Sequence, residues 1–143
     1  MNTFIINAVK FSVFIAILIS AGNVLASTKK VSPETVNGAK TIQTTEAKRL
    51  FDQGAAFIDV RSNRDWDAGR IPGSVHIELK KVFSEETLAA VTDKNQPVVI
   101  YCNSTGCMRS SKATKKAVGW GFSNVFYYRL GYPDWKSSGY AIE

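Results

Sequence analysis

The chain has 143 residues, a formal net charge of +6 at pH 7 and 45% hydrophobic residues. This hydrophobic share excludes an intrinsically disordered chain, and the length suits one compact domain. A basic balance favours anionic substrates or surfaces. The sequence contains no arginine-rich run and no nucleic-acid-binding motif. We therefore expect no nucleic-acid partner.

The N-terminal residues have the pattern of an export signal. One basic residue, Lys10, precedes the apolar run 11–19, and the small or aliphatic residues 24–26 precede Ser27. Polar residues interrupt the apolar stretch, which argues against a retained membrane anchor. We predict a signal peptide at residues 1–26, a periplasmic or secreted location, and no membrane association once the signal is removed.

The rest of the chain divides into a lead-in and a folded domain. Residues 27–38 are polar and lack periodicity, which predicts a flexible N-terminal segment. The domain is predicted over residues 39–143. In chain order, its first predicted elements are a strand at 40–43, a helix that Thr44 or Thr45 caps and that runs to 53, a strand at 55–60, a helical turn at 63–68 and a strand at 74–77. They are followed by a helix capped at 84 and ending at 91, a strand at 98–101, a helix at 110–118, a strand at 124–128 and a short helix at 133–137.

The alternation of strands with helices predicts an α/β fold. Short, continuously apolar strands are typical of a sheet that is buried on both faces. We expect three layers, with a central, mainly parallel sheet and helices on both sides. Ligands of such sheets bind beyond the C-terminal ends of the strands, so residues that follow strands are the first candidates for a site.

A cysteine follows the most apolar strand. Cys102 comes directly after the strand at 98–101, and a small polar loop then leads to a helix. Main-chain N–H groups of such a loop and the positive end of a helix dipole stabilise a thiolate, the reactive form of cysteine. We predict that Cys102 is a catalytic nucleophile. The predicted substrate-binding residues are those of the following loop: Asn103, Ser104, Thr105, Gly106, Cys107, Met108 and Arg109.

Two of these residues have more than one interpretation. Arg109 either holds the oxyanion end of a substrate or bonds to loop carbonyls. Cys107 is either a redox partner of Cys102 or a small loop residue without a special role. A disulfide between the two cysteines would close only a tiny loop and stabilise little, and whether it forms stays open. The single histidine, His76, is far away in sequence, so we predict no metal and no cofactor.

Four segments, in order, resemble the rhodanese family of sulfurtransferases. The match spans about residues 40–143, nearly all of the predicted mature chain. The matching segments are 57–61 (FIDVR), 65–74 (DWDAGRIPGS), 98–102 (VVIYC) and 131–140 (GYPDWKSSGY). Each segment alone is a weak signal, and the four together are specific.

The resemblance implies a two-step sulfur transfer. The Cys102 thiolate would attack the outer sulfur of a small anionic donor such as thiosulfate, release sulfite and form a persulfide. A thiol or cyanide would then accept the sulfur, and a periplasmic redox protein or sulfur-accepting protein is a candidate partner. Asp59, Arg61 and Asp65 are expected to be structural supports. We expect Arg61 to pair with Asp65, and Asp59 to accept N–H bonds near the active loop.

The active loop departs from the family pattern. The usual family loop is C-x4-R and that of related phosphatases is C-x5-R, whereas six residues separate Cys102 from Arg109 here. A second cysteine, as C-x4-C, is similar to exported bacterial members of the family. Three alternatives to the sulfurtransferase follow: a thiol–disulfide redox protein using Cys102 and Cys107, a phosphatase or arsenate reductase of related fold, and a non-catalytic sulfur-relay module.

Overall fold

A five-stranded parallel sheet forms the centre of the domain. The computed structural model describes residues 29–143, and the predicted signal peptide lies outside them. The strands are β1 (Lys40–Thr41), β2 (Ala56–Asp59), β3 (Val75–His76), β4 (Val98–Tyr101) and β5 (Val125–Tyr128). Their order is β1-β5-β4-β2-β3, and every neighbouring pair is parallel. The predicted α/β class with a parallel sheet is therefore confirmed.

In residues 29–143, four helices connect these strands and a fifth follows β5. They are α1 (Thr44–Asp52), α2 (Asn63–Asp67), α3 (Glu85–Ala89), α4 (Arg109–Gly119) and α5 (Gly131–Ser137). Ser84 caps α3 through a reciprocal capping box with Thr87. The predicted threonine cap of α1 is wrong, because the Thr44 hydroxyl bonds to Tyr128 and Asp134 and Gln43 takes the cap position. Between residues 29 and 143, no helix has the length and apolar character needed to cross a membrane.

The helices cover both faces of the sheet. Along β4, Val98 and Ile100 face the layer that holds α3 and α4, whereas Val99 and Tyr101 face the layer of α1 and α5. This alternation follows from the two-residue period of a strand, and burial of both faces explains why β4 is continuously apolar. Cys102 continues the same alternation and lies in the layer of α3 and α4.

The N-terminal segment packs against the domain from Ser32 onward. The Ser32 N–H donates to the Thr105 carbonyl at 2.7 Å, and the Arg129 guanidinium donates to the Ser32 carbonyl at 2.8 Å. Val36 is buried. The polar composition of residues 27–38 predicts a flexible segment. Composition does not reveal that the main-chain groups of Ser32 bond to Thr105 and Arg129 of the domain. The tip of the active loop is thereby tied to the N-terminal segment.

Candidate active site

The C-terminal ends of three neighbouring strands meet at one edge of the sheet. Asp59 of β2 pairs in register with Tyr101 of β4, which pairs in turn with Tyr128 of β5. One further hydrogen bond, from the Val60 N–H to the Tyr101 carbonyl at 3.2 Å, continues the pairing of β2 with β4 past Asp59. Cys102 therefore lies at the middle of this edge, where ligands of parallel sheets bind.

A disulfide joins Cys102 to Cys107, with the two Cα atoms 6.5 Å apart. The Cys107 N–H donates to the Ser104 carbonyl at 2.8 Å, and this tight turn folds the loop back over the end of β4. Cys102 is only 1% exposed, whereas Cys107 is partly exposed. Cys107 thus covers Cys102, and the Cys102 sulfur becomes a nucleophile only after the disulfide is reduced.

The loop has main-chain donors that no group in residues 29–143 uses. Within the described part of the chain, the N–H groups of Asn103, Ser104, Thr105 and Met108 donate no hydrogen bond. Helix α4 begins directly afterwards without a side-chain cap, and its first turn holds no acidic residue. Free N–H groups and an uncompensated positive helix end make the surroundings of the two sulfur atoms favourable for negative charge.

Asn103, the first loop residue, is held at both ends of its amide. Its Nδ2 atom donates to Asp65 at 3.2 Å, and its Oδ1 atom accepts a bond from Arg61 at 3.4 Å. The hydrogen bond from Ser62 and, to a smaller extent, that from Asn103 lower the pKa of Asp65 although partial burial opposes them. The ionised carboxylate therefore persists at neutral pH and positions the start of the loop.

The predicted pair between Arg61 and Asp65 is wrong. Arg61 pairs instead with Asp59, at 2.6 Å from Nη2 to Oδ2, and both side chains are buried. Asp59 also accepts the Arg61 main-chain N–H at 2.9 Å. Burial lowers the pKa of Arg61, but the hydrogen bonds and charge of Asp59 outweigh it and leave that pKa raised. The two residues meet because side chains two positions apart lie on the same side of an extended strand.

Arg61 ties several elements together beneath the loop. Its Nη2 atom donates to the Gly69 carbonyl at 2.7 Å, after α2, and its guanidinium lies 4.5 Å from the centre of the Tyr132 ring in α5. With the bond to Asn103, the side chain reaches the active loop as well. Asp59 and Arg61 thus form a buried ion pair that joins the end of β2 to the segment after α2, to α5 and to the active loop.

Arg109 points back toward the Asp65 carboxylate. Its Nη1 atom lies 3.9 Å from Asp65 Oδ2, and no hydrogen bond joins its side chain to a loop carbonyl in residues 29–143. A groove of about 560 Å³ runs between α4 and the N-terminal segment, from Met108 past Lys112 and Lys115 to Gly119, and neither cysteine lines it. The positive charge expected near the loop is therefore present, and two lysines extend it along the helix.

The role of Gly131 is not evident from the sequence, although this glycine belongs to the segment 131–140 that resembles a family motif. Gly131 has φ +70°, and a Cβ atom there would collide with the Cys102 carbonyl. The next residue, Tyr132, donates its N–H to that same carbonyl at 3.0 Å. The start of α5 therefore lies against the main chain of Cys102, and only a glycine permits this approach. The signal in the sequence was the glycine itself, which is the first residue of α5.

Gly131→Ala is expected to destabilise the domain by about 2–4 kcal/mol, because the left-handed conformation and the collision with Cys102 both oppose a side chain. Urea denaturation of the reduced protein measures this loss. Gly139→Ala is the matched control, since Gly139 has φ +78° and open space around it. That control should lose only about 1 kcal/mol. Equal losses in the two variants would contradict the proposed close contact.

His76 lies at the same edge of the sheet without joining the cysteines. Its Nε2 atom is 3.0 Å from the Arg61 carbonyl, and its ring stacks on Trp66 with centroids 4.7 Å apart. Among residues 29–143, the structure shows no group of three or more potential metal-ligating side chains. His76 thus bonds to and stacks on neighbours other than the two cysteines.

The fold and the site define a class: α/β domains that present a cysteine on a loop at the C-terminal end of a central parallel strand. The family model for the Rhodanese-like domain matches residues 43–138, and the chain belongs to this sulfurtransferase family. A thiosulfate sulfurtransferase GlpE of Pseudomonas savastanoi pv. phaseolicola is 30% identical over 99 residues, covering 69% of this chain and 89% of the relative.

Two other similarities extend the comparison. The mitochondrial protein HIGH ARSENIC CONTENT 1 of Arabidopsis thaliana is 26% identical over 122 residues, which cover 79% of this chain and 71% of that protein. The human single-domain sulfurtransferase TSTD1 has a solved structure that superposes with a TM-score of 0.57 at 25% identity. The match covers 69% of this chain and 96% of the human chain.

Proposed function

We propose that this protein moves a sulfane sulfur from thiosulfate, or a similar anionic donor, through a Cys102 persulfide to a thiol acceptor. One observation carries the proposal: Cys102 lies at the C-terminal edge of the central strand, beside unused loop amides and the uncapped start of α4. Family membership and a relative named as a thiosulfate sulfurtransferase support the same reaction. Cyanide would replace the thiol acceptor in an assay.

The reaction begins once the loop disulfide has been reduced. The Cys102 thiolate attacks the outer sulfur of thiosulfate, a sulfur–sulfur bond forms, and the bond to the departing sulfite breaks. The negative charge passes to the terminal persulfide sulfur, close to the N–H groups of Asn103, Ser104 and Thr105. Lys112 and Lys115 raise the local concentration of an anionic donor. A thiolate acceptor then removes the outer sulfur and regenerates Cys102.

Mass spectrometry of the reduced protein after thiosulfate treatment tests the proposal. Reduced protein with cyanide in excess is expected to convert thiosulfate to sulfite and thiocyanate. In the absence of an acceptor, peptide mapping of Cys107→Ser, which lacks the second thiol of the loop, should place the first transferred sulfur at Cys102. Protein that releases no sulfite after full reduction would overturn the proposal, and turnover of an aryl phosphate or arsenate instead would indicate the phosphatase or reductase alternative.

The loop disulfide favours a second candidate function, a thiol–disulfide redox protein that uses Cys102 and Cys107. Such a protein would exchange its disulfide with a dithiol partner and would form no sulfite from thiosulfate. A non-catalytic sulfur-relay module would differ from both, because it would pass sulfur slowly to cyanide and rapidly to one partner protein. Sulfite and thiocyanate yields therefore separate these candidates from the proposed enzyme.

The proposed enzyme is exported. The support is the charge and hydropathy pattern of residues 1–26, which resembles a cleavable signal, and an oxidising compartment is compatible with a loop disulfide. Mass spectrometry of intact protein isolated from its native compartment tests two features. It shows whether the chain begins at Ser27, and whether the cysteines carry a disulfide or an extra sulfur.

A further inference from the structure

We propose that Cys107 acts on the persulfide of Cys102, so that the protein reduces thiosulfate to sulfite and hydrosulfide and ends the cycle with its loop disulfide closed. This inference rests on the proposed function, since it starts from the persulfide. It adds a second activity, a dithiol-dependent thiosulfate reduction, and gives Cys107 a catalytic role that the sulfur transfer alone does not require.

The geometry of the loop brings the two sulfur atoms together. The 6.5 Å between the Cα atoms lies within the usual range for a disulfide, and the turn from Ser104 to Cys107 holds the loop in its folded-back shape. The loop tip is anchored at Thr105 by Ser32. A thiol held this close to the persulfide competes with any diffusing acceptor, because the reaction within the loop needs no second encounter.

The electrostatic environment favours reaction at Cys107 as well. Cys107 stands two residues before α4, whose uncapped first turn contains no acidic residue. The positive end of the helix stabilises negative charge at this position. Cys107 therefore combines proximity to Cys102 with a position at which a thiolate is stabilised.

The step balances without an additional oxidant. The Cys107 thiolate attacks the inner sulfur of the Cys102 persulfide, the bond to the outer sulfur breaks, and that sulfur leaves as hydrosulfide with one proton. Over the whole sequence, thiosulfate and the two thiols give sulfite, hydrosulfide, one proton and the disulfide. Two electrons pass from the cysteine pair to the sulfane sulfur, and a dithiol reductant must then reopen the loop.

The difference in exposure between the two cysteines sets the direction of that reopening. Cys107 is partly exposed and Cys102 is 1% exposed, so an incoming dithiol reaches the Cys107 sulfur first. Attack there expels Cys102 as a thiolate, next to the unused loop amides that stabilise its charge. Reduction thus returns the nucleophile in its reactive form, and the mixed disulfide forms on the accessible cysteine.

A single-turnover experiment tests the inference. Protein reduced with dithiothreitol and then freed of it is mixed with excess thiosulfate, and sulfite, hydrosulfide and intact mass are measured at the end point. The unaltered protein should release one sulfite and one hydrosulfide per chain and lose the mass of two hydrogen atoms. Cys107→Ser should release sulfite without hydrosulfide and gain the mass of one sulfur atom, which mapping places at Cys102.

The outcomes separate the inference from the proposed function. If the unaltered protein holds a stable Cys102 persulfide beside a free Cys107 thiol, the inference is wrong while the sulfurtransferase proposal stands. If neither protein forms sulfite, the proposed function itself fails. Cys107→Ala serves as a second variant, because persulfide accumulation in both variants excludes an effect of the serine hydroxyl. Hydrosulfide release from either variant at the level of the unaltered protein would also overturn the inference.

Discussion

Replacing Cys102 by serine is expected to lower sulfite release from thiosulfate by on the order of 1000-fold or more in the reduced protein. A serine hydroxyl ionises far above neutral pH, so the loop amides and the positive end of α4 have no anion to stabilise. Oxygen is also a weaker nucleophile toward sulfur than a thiolate is. Initial rates of sulfite release at saturating thiosulfate, with cyanide as acceptor, measure the loss.

Two checks accompany this variant. Its thermal unfolding should show a folded domain that is slightly less stable than the reduced, unaltered protein, because serine places a hydroxyl at this buried position. Cys102→Ala should lose activity to the same extent. If Cys102→Ser retained a tenth or more of the activity, the nucleophile would be the other cysteine, Cys107, and the assignment of roles at the site would be reversed.

Asp59→Asn is expected to destabilise the folded domain by about 3–5 kcal/mol, because it leaves the Arg61 guanidinium buried without its carboxylate. Arg61 is 2% exposed and makes three side-chain hydrogen bonds to Asp59. Such a loss is a large fraction of the stability of an ordinary domain. Chemical denaturation at neutral pH, followed by fluorescence of the tryptophans, measures the change in free energy of unfolding.

An exposed ion pair provides the matched control. Asp52 lies 2.6 Å from Lys48 on the surface of α1, one helical turn apart. Asp52→Asn should cost less than about 1 kcal/mol, since water screens exposed charges and solvates an unpaired one. A similar, small effect of both substitutions would show that the Asp59–Arg61 pair does not hold the end of β2 to the active loop.

The supports of the active loop show the limit of reading partners from sequence. Asp59 and Asp65 both lie within a few residues of Arg61, and the predicted pairing of Arg61 with Asp65 is wrong. The two-residue spacing of Asp59 and Arg61 was the usable signal, because it places both side chains on one side of the strand. The neighbours that Arg61 also reaches, Gly69 and Asn103, belong to segments whose positions depend on the whole fold.

Other elements were predictable because their causes are local. The run at 98–101 could only be a buried strand in this context, and β4 has those bounds. Ser84 predicted the start of α3, because a serine at the N-cap accepts a hydrogen bond from the first turn of the helix. The N-cap of α1 could not be predicted, because its cause is not local. The Thr44 hydroxyl bonds to Tyr128 and Asp134, which approach it only in the folded domain.

The amino-acid order by itself determined the class of fold and the location of the cysteine loop, since hydrophobic period and strand–loop–helix succession act over a few neighbouring residues. The tertiary structure alone decided that Cys102 is buried beneath Cys107, that Gly131 touches its carbonyl, and that Ser32 anchors the loop. Those contacts depend on how the strand ends are placed in space. Packing of the whole domain sets that placement, and no short stretch of the chain encodes it.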